Sequence, residues 1–129
     1  MNPSLAAAYR EEAAEMLASL ELSLLELEER SDDTEAVASV FRALHTIKGS
    51  GAMFGFERVA AFTHGFETAF DQVRKGLVPA SRELVAAALA AKDHIRVLID
   101  RPQAADAAAE EAILSDLRAA VEQPGLMSL

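Results

Sequence analysis

Apolar residues recur every three or four positions through most of this chain, in segments cut by turn signals. That period admits α-helices and little else. Leu5, Tyr9, Ala13, Met16, Leu20, Leu24 and Leu27 form the first stripe, with Asn2 placed to cap it and Pro3 at its first position. This long helix ends near Arg30, and Ser31-Asp32-Asp33-Thr34 reads as a turn. Asp32, with Glu35 three residues on, predicts a capping box for a second helix carrying Val37, Val40, Phe41, Leu44 and Ile47. Gly55 marks the turn after it, and a third helix carries Val59, Phe62, Phe66, Phe70 and Val73 as far as Gly76. Pro79 and Ser81 open a fourth, with Leu84, Val85, Ala88, Leu89, Ile95, Leu98 and Ile99, which Arg101-Pro102 breaks. A weaker, alanine-rich fifth segment carries Ile113, Leu114, Leu117 and Val121.

No strand-like alternation of useful length interrupts this pattern. Of the 129 residues, 51% are hydrophobic, mainly alanine and leucine, enough for one domain with a core. The fold class is all-α. Four comparable helices joined by short turns predict an up-down-up-down bundle, with the fifth helix beside it or on its end. Residues 1–122 read as the domain and 123–129 as a flexible tail. All six phenylalanines lie in the second and third helices or the turn between them, which predicts an aromatic core and a stiff helical hairpin there.

The net charge of −9 sets the surface against phosphate backbones and anionic membranes, so no nucleic-acid partner is expected. There is no cysteine, hence no disulfide framework and no thiolate chemistry. No apolar run approaches the ~20 residues of a membrane span, and Met1-Asn2-Pro3-Ser4 lacks the regions of a signal peptide. The default location is the cytoplasm. A covered bundle of this size can stand as a monomer.

The stretch that carries chemistry is His45-Thr46-Ile47-Lys48-Gly49-Ser50-Gly51. On a helical wheel His45 falls roughly 100° from the centre of the apolar stripe, on the border between core and water. Ala38, Arg42, Gly49 and Ala52 share its side, and all but Arg42 are tiny, so the ring has an open approach. On the third helix Glu67 falls at a similar border, with His64 further toward solvent. Counted outward from the turn at Phe54-Gly55-Phe56, His45 and Glu67 come to about the same height at ~1.5 Å per residue. A hydrogen bond between them is expected. A carboxylate accepting from Nδ1–H leaves a lone pair on Nε2 and stabilises positive charge building on the ring. Lys48 would place its ammonium near anionic oxygens of an incoming group.

Such an imidazole is suited to accept a phosphoryl group. The chain has no P-loop or other glycine-rich nucleotide motif, so donor and acceptor must be other proteins. Two other readings stay open. His45, His64 and Glu67 offer the two-histidine, one-carboxylate set of a zinc or iron site, and a bundle that binds partners without phosphorylation would be simply an adaptor. His94, in the charged stretch Lys92-Asp93-His94, reads as a surface residue, and Glu11-Glu12, Glu26-Glu28-Glu29 and Glu110-Glu111 as solvated helix faces.

The run from His45 to Phe56, with the lead-in Phe41-Arg42-Ala43-Leu44 and the later Thr63-His64-Gly65-Phe66-Glu67, resembles histidine-containing phosphotransfer (HPt) domains, in particular those at the N-terminus of CheA-type chemotaxis histidine kinases. The resemblance runs over nearly the whole chain. It implies that His45 is phosphorylated, that Glu67 is its hydrogen-bonded partner, and that Lys48 and His64 tune the site. It also implies a kinase catalytic domain using ATP, a CheY-like receiver domain with an aspartate and bound Mg²⁺, and a place at chemoreceptor arrays. No cofactor is expected in this chain itself. Arg42, His45, Gly49, Ala52 and Met53 are the expected partner-binding surface. Gly51-Ala52 reverses the order seen in many relatives, and Met53 is bulkier than the threonine often found there. A full kinase of this kind is longer, so the chain is expected to be a piece of one or a stand-alone carrier.

Overall fold

The structure, a computed structural model, describes residues 3–127, with side chains described for 4–122. The expected cap Asn2 and the last two residues lie outside it. The described residues form five helices, α1 (Pro3–Glu29), α2 (Thr34–Met53), α3 (Glu57–Arg74), α4 (Arg82–Asp100) and α5 (Ala107–Met127), with a 3-10 turn at Pro102–Ala104 before α5. α5 thus reaches Met127, past the expected boundary at 122. No strand occurs among the described residues. No described helix is long and apolar enough to cross a membrane.

The helices pack as neighbours in a ring. α1 lies against α2 and α4, α3 lies against α2 and α4, and α5 runs beside the bundle along α3 and α4. This is the up-down-up-down bundle the periodicity implies, with the fifth helix at its side and the α1–α2 edge uncovered by it. Local chemistry sets the ends of the helices. Asp33, not Asp32, caps α2: its carboxylate accepts from the Ala36 N–H at 3.0 Å, while Arg30 holds its other oxygen at 3.1 Å. The residue three past the cap is therefore Ala36, and the expected capping box with Glu35 does not close. Ser81 caps α4 by accepting from the Leu84 N–H at 3.1 Å. Gly55 and Gly76 take φ of 84° and 77°, the left-handed conformation that ends α2 and α3.

The core follows the apolar stripes with some drift. Leu20, Leu24, Leu44, Ile47, Phe66 and Phe70 are sealed from solvent, each contributing about 1.5–3 kcal/mol by burial. Leu17, absent from the expected first stripe, is buried, while Leu5 is 47% exposed. Phe62, Phe66 and Phe70 form the aromatic core, but Phe41, Phe54 and Phe56 are only half-buried at its edge. Tyr9 ties α1 to α2: its hydroxyl donates to the Ile47 carbonyl at 3.3 Å, and a Cβ at Gly51 would stand 3.0 Å from the tyrosine oxygen. Gly51 therefore lets α2 settle close to α1, which fixes the helix that carries His45.

Candidate functional site

His45 sits midway along α2 and Glu67 on the facing flank of α3. The bond expected from their heights forms: Nδ1 of His45 is 2.8 Å from Oε2 of Glu67. The histidine side chain is 68% exposed and the glutamate only 8%. Burial pushes the Glu67 carboxyl up, but hydrogen bonds from Lys48 and His45, and their charge, together hold it below its ordinary value. An ionised carboxylate can only accept, so Nδ1 carries the proton and Nε2 keeps its lone pair.

Lys48 stands one turn beyond His45 on α2. Sequence geometry aims its ammonium at an incoming group; here it donates to Oε1 of Glu67. One carboxylate thus serves the imidazole on one oxygen and the ammonium on the other. His64, expected to tune the site, is exposed, and its ring makes no hydrogen bond among the described residues; its carbonyl accepts from the Thr68 hydroxyl at 2.9 Å. His45, His64 and Glu67 do not assemble as a metal-binding set, nor does any other group of three such side chains among the described residues.

Phe41 belongs to the site as well as to the edge of the core. Its ring stacks on His45, with centroids 6.3 Å apart and planes 15° apart. The Arg74 guanidinium lies over the Phe41 ring at 4.4 Å from its centroid and is held in turn by Asp71. The imidazole is therefore fixed on one edge by Glu67 and on one face by Phe41. The i, i+4 spacing of Phe41 and His45 is the sequence signal for this contact.

Arg42, His45, Gly49, Ala52 and Met53 are all exposed along one side of α2. A Cβ at Gly49 would meet nothing within 4 Å, so the gap there opens outward. Met53 is 78% exposed, a large apolar side chain at the end of this face.

His94 is a correction. It is buried on α4, with Nε2 2.8 Å from Oε1 of Glu110 and its ring 4.8 Å from that of Phe62. Its charged neighbours Lys92 and Asp93 suggest a wet surface, but α5 covers this side and supplies Glu110, itself expected on a solvated face.

The Hpt domain family model matches residues 4–123. The chain is 38% identical over 97 residues to chemotaxis protein CheA of Rhizobium meliloti, covering 75% of this chain and 12% of that one. It is 35% identical over 113 residues to CheA of Salmonella typhimurium, covering 85% and 17%. It therefore spans only about a sixth or less of the length of these curated relatives. Among solved structures, the phosphorylated P1 domain of CheA3 in complex with CheY6 from R. sphaeroides superposes with a TM-score of 0.80 at 30% identity, over 92% of this chain and 95% of that one. The match takes in all four bundle helices, nearly all of the described α5 and the whole cluster around His45, and the chain belongs to the Hpt domain family.

Proposed function

We propose that this chain carries a phosphoryl group on Nε2 of His45, between an ATP-using histidine kinase domain and the aspartate of a CheY-like receiver. The observation that carries this reading is the hydrogen bond from exposed His45 to buried, ionised Glu67. It fixes the nucleophilic nitrogen and leaves it facing partners. In the first step the Nε2 lone pair attacks the γ-phosphorus of ATP, and the bond to the bridging oxygen breaks with its electron pair leaving on ADP. In the second, a receiver carboxylate oxygen attacks the same phosphorus, and the pair of the broken P–N bond returns to Nε2. Nδ1–H stays on Glu67 throughout, so the carboxylate offsets positive charge on the ring while phosphorus is attached. Phe41 holds the ring plane, and the exposed face Arg42, Gly49, Ala52 and Met53 receives the partners in turn. Mg²⁺ and ATP belong to those partner domains. A cytoplasmic site of action, at chemoreceptor arrays, goes with this role.

The test is His45→Gln with a CheA-class kinase domain and radiolabelled ATP. Labelling of the wild-type chain and none of the variant, with helical content unchanged by circular dichroism, is the expected result. Equal labelling of both would sink the proposal.

A further inference from the structure

Thr63 is sealed from solvent, and its hydroxyl has no hydrogen-bond partner among the described residues. A threonine inside a helix ordinarily donates to the carbonyl one turn back. Thr68 on the same helix does this, to the carbonyl of His64 at 2.9 Å. Thr63 does not. Such a buried, unpaired hydroxyl weakens a fold, and valine would fill the same space without that cost.

Its position offers a use for it. Thr63 precedes Glu67 by one turn, so the two share a flank of α3. Helical side chains lean toward the N-terminus, which brings the Glu67 carboxylate back over residue 63. In the resting site Oε1 of Glu67 is served by Lys48. A phosphoryl group on His45 is a dianion one turn from Lys48, and it draws the ammonium away. Glu67, at 8% exposure, then has an oxygen without a donor and little water to replace it.

Resting on the carrier reading above, we propose that Thr63 is a positioning residue: its hydroxyl donates to Oε1 of Glu67 when Lys48 turns to the phosphoryl group. The carboxylate stays ionised, so its grip on Nδ1–H of His45 persists in the phosphorylated state. No covalent bond or proton transfer is involved in this exchange of donors.

The test compares wild type, Thr63→Val and Thr63→Ser by thermal melting and by rate of labelling from radiolabelled ATP with a CheA-class kinase domain. Thr63→Val should melt no lower than wild type yet label about fivefold more slowly. Thr63→Ser should restore the rate. Should valine prevent folding, Thr63→Ala against Thr63→Ser reads the same hydroxyl. A wild-type rate in Thr63→Val, or no rescue by serine, overturns the role of Thr63 and leaves the carrier reading standing. Failure of the wild-type chain to label overturns both.

Discussion

His45 and Glu67 stand 22 positions apart in sequence and 2.8 Å apart in space, on two helices joined by a turn at Gly55. The charge of that carboxylate matters as much as its position. Glu67→Gln keeps the shape but removes the charge that offsets an imidazolium, and its amide can present a donor where Nδ1–H needs an acceptor. Phosphorylation should slow by about tenfold to a hundredfold, with the domain still folded. Initial labelling rates and the His45 tautomer from nitrogen shifts check this; an unchanged rate would show that the hydrogen bond is ornamental.

Gly49 offers a separate test of the docking face. A Cβ there meets nothing within 4 Å and the position is exposed, so the fold should tolerate leucine, which should also gain helix propensity. Its side chain projects into the approach to His45. Transfer from phosphorylated His45 to a receiver should fall by at least about tenfold, the effect of some 1.4 kcal/mol of lost docking. Normal transfer kinetics would move the interface to another face.

Phe41 should matter more to rate than to stability. Phe41→Leu keeps an apolar group against the core but loses the flat wall on which the imidazole rests and over which Arg74 lies. Ring contacts of this kind are worth about 0.5–1.5 kcal/mol, so labelling should slow by roughly two- to tenfold. A melt and a labelling time course on the same sample separate the two effects.

Tyr9 gives the fold an alkaline limit. Burial, and then the charge of Glu12, push its hydroxyl up to about 12, against about 10 for a free tyrosine. The neutral phenol is the form the core accepts. Its stabilisation is complete below about pH 10 and is lost as pH rises through about 12. Tyr9→Phe loses the bond to the Ile47 carbonyl and should cost about 1 kcal/mol at pH 7. It cannot ionise, so the deficit should shrink above pH 10. Urea midpoints of the two proteins at pH 7 and near pH 11 give the comparison; a constant difference would refute it.

The helices were legible because an apolar stripe every three or four residues has only one regular backbone that buries it. The His45–Glu67 pair was legible for a related reason: two helices about a tight turn convert sequence distance into height. What escaped depends on neighbours that a single helix does not reveal. His94 lies among charges on its own helix and is buried only because α5 comes to rest over it. Lys48 falls close to the apolar stripe on a wheel, and only the carboxylate of the next helix shows where its ammonium goes. Asp32 and Asp33 are equal candidates for a cap until the chain entering from Arg30 selects one. Phe41 was legible as apolar but not as the wall of a site, because that needs the angle of the imidazole fixed by Glu67.

His45 lies in the middle of α2, a full two turns from either end. There every backbone amide is already committed to the helix, so none is free to clasp a phosphate as amides at a helix tip do. On the carrier reading, a phosphoryl group there would be held by one covalent bond and nearby side-chain cations, with no cradle around it. A perch of this kind is a poor trap, and a courier that cannot hoard what it carries must surrender it to the first well-fitted acceptor.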